Sequence, residues 1–112
     1  MKSGWVKFAL ALAVLLILAL AAIQASIELG VRDFSRTAMQ QFPGDRADAL
    51  IRLVACETCS LQDRNHAVWA LGQLREKRAL PVLASYKTHR RCDHTREICQ
   101  HELDKAMARM MN

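Results

Sequence analysis

The chain has 112 residues and a formal net charge of +5, with 52% hydrophobic and 24% charged residues. This length allows one small unit and excludes a multidomain enzyme, because a domain usually takes about 100 to 200 residues. The content of 4 glycines and 2 prolines excludes a collagen-like or low-complexity chain. The mean hydropathy of zero averages two different parts, an apolar amino-terminal segment and a charged remainder.

An uncharged segment near the amino terminus predicts a membrane-spanning helix. Residues 8–27 are 20 residues without a charge. As a helix they would extend about 30 Å, the thickness of the hydrocarbon core of a bilayer. The flank at residues 1–7 contains Lys2, Lys7 and an aromatic residue, a composition typical of a membrane interface. We therefore predict an uncleaved single-pass anchor, and a cleaved secretory signal is the alternative.

The cysteines favour export of the remaining chain. All four lie in its second half, at Cys56, Cys59, Cys92 and Cys99. An even number of cysteines in a small exported segment indicates disulfides, whereas the same four in the cytosol would indicate metal or redox chemistry. Basic residues flank both ends of the apolar segment, so they do not decide its orientation. From the cysteines and the export-type amino terminus we expect a bacterial inner-membrane protein with a cytoplasmic amino terminus and a periplasmic carboxy-terminal domain.

Beyond the anchor, apolar residues recur every three or four positions, which predicts an all-α domain. Asp45, Ser60 and Asp93 can each cap a helix. The predicted helices span residues 31–42, 46–57, 61–75, 79–88 and 94–110. The short connections require neighbouring helices to be antiparallel. We expect residues 28–44 to form a helical linker or a degenerate half-repeat, and residues 45–112 to form the folded domain.

A weak internal repeat of about 30 residues runs through this domain. Residues 48–58 align with residues 78–88, and Phe34 aligns with His66 at a similar shift. The segment 64–83 resembles the short HEAT-type repeats of phycobilisome-lyase-like proteins. The residues that carry the resemblance are Arg64, Ala67, Ala70-Leu71-Gly72, Leu74 and Ala79-Leu80-Pro81-Val82-Leu83. The resemblance implies a HEAT-like α-solenoid of about two and a half helical hairpins, which would follow the predicted anchor helix. It implies no lyase activity, because it covers scaffold positions only.

The cysteine spacing favours structural disulfides. Cys92 and Cys99 are seven residues apart, and in one helix their Cα atoms would be about 10 Å apart, beyond the reach of a disulfide. We therefore favour bridges from Cys59 to Cys92 and from Cys56 to Cys99. Local bridges within each pair are the alternative if the chain bends before the last helix begins.

Recognisable catalytic motifs, metal-binding histidine motifs and phosphate-binding loops are missing from the sequence. We therefore expect no catalytic residue, no metal and no cofactor. The expected function is a non-enzymatic, membrane-anchored protein-interaction or scaffolding module, an accessory subunit of a larger envelope complex. The rival is a membrane-tethered thiol-redox or zinc-binding protein that uses Cys56, Cys59, Cys92 and Cys99. In a zinc site, Cys56 and Cys59 would be joined by Cys92 and Cys99, or instead by His89 or His94.

The candidate contact residues are a basic edge and one tryptophan. The excess positive charge beyond the anchor is concentrated at Arg75, Lys77, Arg78, Lys87, Arg90 and Arg91, and the one acid in that stretch is Glu76. This edge can contact anionic headgroups or an acidic partner. Trp69 is either a core residue or the aromatic anchor of a contact. The expected partners are the lipid bilayer and a protein or larger membrane complex, whereas nucleic acid is not expected for an anchored, exported chain.

Overall fold

The computed structural model describes the backbone of residues 2–112 and the side chains from residue 3 onward. Met1 and the side chain of Lys2, part of the predicted basic flank, lie outside the described residues. The described chain contains helices and no strand, which confirms the predicted all-α class. The helices are α1 (Lys2–Gln41), α2 (Arg46–Ala55), α3 (Leu61–Gln73), α4 (Leu80–Ser85, preceded by a 3-10 turn at Lys77–Ala79) and α5 (Gln100–Met111).

Helix α1 is one uninterrupted helix of 40 residues, whereas the sequence predicted separate anchor and domain helices. It contains no proline, and its two glycines, Gly4 and Gly30, do not break it. Side chains of the apolar segment 8–27 are almost all exposed, but Val31 and Ala38 further along are buried. Among the described helices, α1 is the one that is long and apolar enough to cross a membrane, by length and composition. The predicted linker is therefore the continuation of this helix.

Helices α2 and α3 begin at the predicted caps. The Asp45 carboxylate accepts a hydrogen bond of 2.8 Å from the backbone N–H of Asp48, and the Ser60 hydroxyl accepts one of 3.1 Å from that of Asp63. Each bond satisfies an amide that has no partner within its own helix. The predicted starts of these two helices are thus confirmed.

Helix α3 ends two residues earlier than predicted, because Arg75 adopts a left-handed conformation with φ of 52°. The backbone N–H of Arg75 bonds to the carbonyl of Gly72, and that of Glu76 bonds to the carbonyl of Leu71. This pattern closes the last turn of a helix and turns the chain away from the helix axis. The corner that follows leads into α4.

Helices pack mainly on near neighbours in the sequence. Helix α1 packs with α2, α2 with α3 and α4 with α5, and helices two apart also pack together (α1 with α3, α2 with α4, α3 with α5), whereas α3 and α4 make little direct contact. The largest fully buried side chains are Leu50, Leu53, Val54, Val68, Leu71, Leu83, Leu103 and Met110. Helices α3 and α5 approach closely at Gly72, where an added Cβ atom would lie 2.8 Å from the Cα atom of Ala106. All five helices therefore share one core.

Helix α5 begins at Gln100 and not at the predicted residue 94. Asp93 does act as a cap, but of an isolated turn, because its carboxylate accepts hydrogen bonds from the backbone N–H and the hydroxyl of Thr95. The chain then carries Ile98 into the core, where it is only 2% exposed. Cys99 therefore occupies the cap position of α5, and residues 94–99, which were predicted to begin this helix, form a turn and irregular chain.

Candidate functional site

Two amide side chains hold the irregular segment between α4 and α5. Gln100 is buried, and its side-chain oxygen accepts a hydrogen bond of 2.9 Å from the backbone N–H of Thr88, while its nitrogen donates to the carbonyl of Tyr86 at 3.0 Å. On the other side, the side-chain oxygen of Asn65, in α3, accepts a bond of 2.9 Å from the backbone N–H of Cys99. These bonds fix the loop relative to α3 and α4.

The loop brings two cysteines and one histidine together. The sulfur atoms of Cys92 and Cys99 are 3.5 Å apart, and the ligand atoms of Cys92, His94 and Cys99 all lie within 4.8 Å of one another. The cysteines are half-buried, and His94 is exposed. The three side chains meet because the chain turns before α5 begins, whereas in one continuous helix the cysteines would be too far apart.

The start of α5 favours the ionised form of Cys92. The backbone N–H of His101 donates to the Cys92 sulfur and lowers the pKa of this thiol below its ordinary value, and the neighbouring Cys99 thiol acts in the same direction. The thiolate is the form of cysteine that binds metal ions and attacks disulfides. The pKa of Asp93 is also lowered, chiefly by the hydroxyl of Thr95. The cluster can therefore either coordinate a metal or form a disulfide.

The other two cysteines are bonded to each other, so the favoured bridges from Cys59 to Cys92 and from Cys56 to Cys99 are wrong. Helix α2 ends at Ala55, and the chain reverses before Ser60 caps α3. This tight turn places the Cα atoms of Cys56 and Cys59 5.3 Å apart, within the usual disulfide range. Of the local alternative, the Cys56–Cys59 bridge is present, and Cys92 and Cys99 are adjacent but not bonded.

The predicted basic edge is partly neutralised by acids from other helices. Arg78 pairs with Asp45 at 3.5 Å, with Asp48 at 3.4 Å and with Glu76 at 3.0 Å. The other cations divide into two groups. Lys87 pairs with Asp104 and Arg90 pairs with Glu97, whereas Arg75, Lys77 and Arg91 form no ion pair with any described residue. The unpaired positive charge of this edge therefore lies at the α3–α4 corner (Arg75 and Lys77) and at the end of the 87–91 loop (Arg91).

Trp69 packs within the molecule against α1. A Cβ atom at Gly30 would lie 3.2 Å from the indole ring, and the Phe34 ring stands edge-on to Trp69 with a centroid distance of 5.6 Å. The Phe34 ring also stacks on His66 at 4.1 Å. These aromatic contacts attach the second half of α1 to α3. Trp69 is half-buried, and pockets on either side of it leave part of the ring accessible.

Three residues that were not predicted as site residues hold the loop before α5 and the turn between α2 and α3: Asn65, Gln100 and Arg64. The Arg64 side chain is buried, donates a bond of 2.9 Å to the carbonyl of Val54 at the end of α2, and lies over the Tyr86 ring. Most of their partners are backbone groups 10 to 34 residues away. In the sequence, the one signal that could have identified these residues was a polar side chain on an otherwise apolar helix face.

Most helices of the described chain pack on a sequence neighbour and on the helix after it, a pattern also seen in helical-repeat proteins. Residues 63–89 match the family model of the PBS lyase HEAT-like repeat, so α3, the following corner and α4 form a HEAT-like repeat. The match confirms the resemblance found in the sequence. A comparison with curated proteins and a comparison with solved structures each returned no match.

Proposed function

We propose that this chain is a single-pass membrane protein whose HEAT-like domain is a non-enzymatic interaction or scaffolding module, an accessory subunit of a larger envelope complex. The observation that carries the proposal is the division of α1 into two halves. Residues 8–27 expose an apolar surface that water would solvate poorly, while the second half of the same helix packs into the domain core. A bilayer around the first half removes that exposed surface from water.

The charges beyond the apolar half support the same placement. Arg32 follows residue 27 by five residues, about 7.5 Å along the helix. This distance reaches the headgroup layer, which is about 5 to 7 Å thick on each side of the hydrocarbon core. Arg32, Arg36 and Arg46 line a cleft of about 400 Å³ between the end of α1 and the start of α2. In the described chain these three guanidinium groups form no ion pair, so they are free to contact anionic headgroups.

Contacts between repeat-equivalent residues support a solenoid arrangement. Phe34 and His66 are equivalent in the repeat alignment, and their rings stack. Asp48 and Arg78 are also equivalent, and they form an ion pair. In a solenoid each repeat lies on the next, so equivalent positions of successive repeats become neighbours. We propose that the second half of α1 with α2, then α3 with α4, form two hairpins, and that α5 is the remaining half.

An apolar groove between two helices supports a protein partner. Helices α4 and α5 form this groove, which has a volume of about 520 Å³ and is lined by Ala84, Met107, Ala108 and Met111, with Lys87 and Asp104 at its edge. In arrays of helical repeats a neighbouring helix covers such an apolar face. We propose that a helical segment of a membrane-complex subunit occupies this groove. The domain is proposed to be periplasmic, and the Cys56–Cys59 bridge is consistent with an oxidising compartment.

The test is site-specific photocrosslinking in native membranes. A crosslinking residue at Met111, which is 71% exposed at the groove, is expected to capture one protein at constant stoichiometry. The same residue at Arg52, an exposed position of α2 outside the groove, is the matched control and is expected to capture less of it. A protein that is extracted from its native membrane alone and monomeric, with no crosslinked companion at Met111, would contradict the proposal.

Topology is tested separately with membrane-impermeant reagents. A cysteine introduced at exposed Glu57 or Arg109 in a chain lacking Cys92 and Cys99 is expected to react in intact cells only after the outer membrane is permeabilised. Labelling that requires lysis of the inner membrane would place the domain in the cytoplasm and contradict the proposed orientation.

A further inference from the structure

We propose that Cys92, His94 and Cys99 form a zinc site at the start of α5, with a fourth coordination position open to water or to a partner side chain. This inference is independent of membrane anchoring and partner binding. It also differs from the rival function suggested by the sequence, because Cys56 and Cys59 are bonded to each other and contribute no ligand. The zinc site belongs to the carboxy-terminal loop alone.

The spacing of the three ligand atoms is close to what zinc requires. With Zn–S bonds of about 2.3 Å and Zn–N bonds of about 2.0 to 2.1 Å, tetrahedral geometry separates two sulfur atoms by about 3.8 Å and sulfur from nitrogen by about 3.6 Å. The sulfur atoms of Cys92 and Cys99 are 3.5 Å apart, and no pair among the three ligand atoms exceeds 4.8 Å. Adjustments of at most about 1.2 Å therefore complete the coordination.

The donor types select zinc over the common hard cations. Two thiolates and one imidazole are soft or borderline ligands, which Zn²⁺ prefers, whereas Mg²⁺ and Ca²⁺ require oxygen ligands. The two thiolate charges also balance the charge of the ion. His94 is exposed, so the ion can enter from solvent without opening the core. Three protein ligands leave one tetrahedral position for an external group.

The ligands are held in place by bonds that involve no metal. The backbone of Cys99 is fixed by the side-chain oxygen of Asn65, and the turn that contains His94 is closed by the Asp93–Thr95 bonds. Gln100 fixes the beginning of the same loop at Thr88. Such supporting contacts orient ligands and reduce the ordering that binding requires.

A disulfide between Cys92 and Cys99 is the competing use of the two thiols. The two uses differ at His94, because a disulfide requires only the cysteines, whereas zinc binding requires the imidazole as well. They also differ in the number of free thiols, since a metal releases both thiols when it is removed by a chelator. The decisive experiment therefore examines both the metal content and the role of His94.

The first measurement uses the full chain isolated from its native membrane in detergent, without reductant or chelator. Native mass spectrometry is expected to show one Zn²⁺ per chain. Alkylation is expected to be slow at Cys92 and Cys99 until a chelator is added, and then to modify both. A Cys92–Cys99 disulfide in a chain without bound metal would overturn the proposal.

The second measurement compares variants in a zinc competition titration of the full chain. His94→Gln is expected to lower the zinc affinity at least about 100-fold, since the loss of a ligand costs no less than the loss of a supporting contact. His89→Gln, in the same loop but outside the cluster, is the matched control and is expected to keep the wild-type affinity. Equal affinities of wild type and His94→Gln would overturn the proposal.

A cobalt titration reports the ligands directly and guards against misfolding. Co²⁺ bound by thiolates gives intense near-ultraviolet charge-transfer absorption, which is expected for wild type and is expected to weaken for Cys92→Ser. The helical circular dichroism spectrum of each variant is recorded alongside, and the exposed position of His94 predicts that His94→Gln remains folded. Charge-transfer absorption that is unchanged in Cys92→Ser would refute coordination by this thiol.

Discussion

The close contact between α3 and α5 at Gly72 gives a quantitative prediction for Gly72→Ala. The new Cβ atom would lie 2.8 Å from the Cα atom and 2.9 Å from the Cβ atom of Ala106, whereas carbon atoms pack best at about 3.5 to 4.0 Å. Both neighbouring atoms belong to a helix backbone or are attached to it directly, so no side-chain rotation relieves the contact. Helix α3 must move away from α5, and such overpacking costs up to about 3 kcal/mol. The better helix propensity of alanine offsets up to about 1 kcal/mol, which leaves a net destabilisation of about 2 kcal/mol.

The assay is thermal unfolding of the full chain in detergent, followed by the helical circular dichroism signal. For a domain of this size, about 2 kcal/mol corresponds to a decrease of about 8 to 16 °C in Tm. Gly4→Ala makes the same chemical change where no atom lies within 4 Å, and its Tm is expected to stay at or slightly above that of wild type. A Tm of Gly72→Ala equal to that of Gly4→Ala would refute the close packing of α3 on α5.

Three further predictions concern the ends of helices. Arg75→Gly is expected to raise the stability by about 1 kcal/mol, because glycine adopts the left-handed conformation of this position without strain, and a lower Tm would contradict the corner geometry. Arg64→Met is expected to lower the stability by about 1 to 3 kcal/mol by removing the bond to the buried Val54 carbonyl, as measured by denaturant unfolding, with Arg52→Met at an exposed position as the control. The bond from the Asp48 amide lowers the pKa of Asp45. The stabilising effect of this cap is therefore full above about pH 4 and is lost as the pH falls through the lowered pKa. When Tm is measured from pH 7 to pH 3, the values of wild type and Asp45→Ala are expected to converge only at the acidic end.

The sequence predicted the elements that depend on local signals. The caps at Asp45 and Ser60 and the apolar spacing of α2 and α3 lie within a few residues of one another, and both helices begin where predicted. The repeat was also visible, since small residues such as Gly72 mark close helix contacts. Local patterns were therefore sufficient to predict the all-α class and the starts of α2 and α3.

Features that depend on distant contacts were not predictable in the same way. Asp93 is a residue type that often caps helices. Whether it starts a long helix, however, depends on two distant contacts: Ile98 enters the core, and the side chain of Asn65, 34 residues away, binds the backbone of Cys99. The error in the start of α5 led directly to the wrong cysteine pairing. Arg78 likewise seemed unpaired in a basic stretch, because two of its acidic partners, Asp45 and Asp48, lie at the start of α2, far from it in sequence.

The continuity of α1 gives the proposed membrane anchor a second consequence, because it couples the anchor rigidly to the domain. Gly30 contacts Trp69 only three residues beyond residue 27, and no flexible segment separates the apolar half of the helix from this contact. Each residue of a helix adds about 1.5 Å of height and about 100° of rotation. In the proposed membrane orientation, one residue inserted between positions 27 and 30 would therefore rotate the α4–α5 groove away from a neighbour fixed in the membrane plane. The proposal thus implies that the rotational position of α1 determines which neighbour the domain can reach.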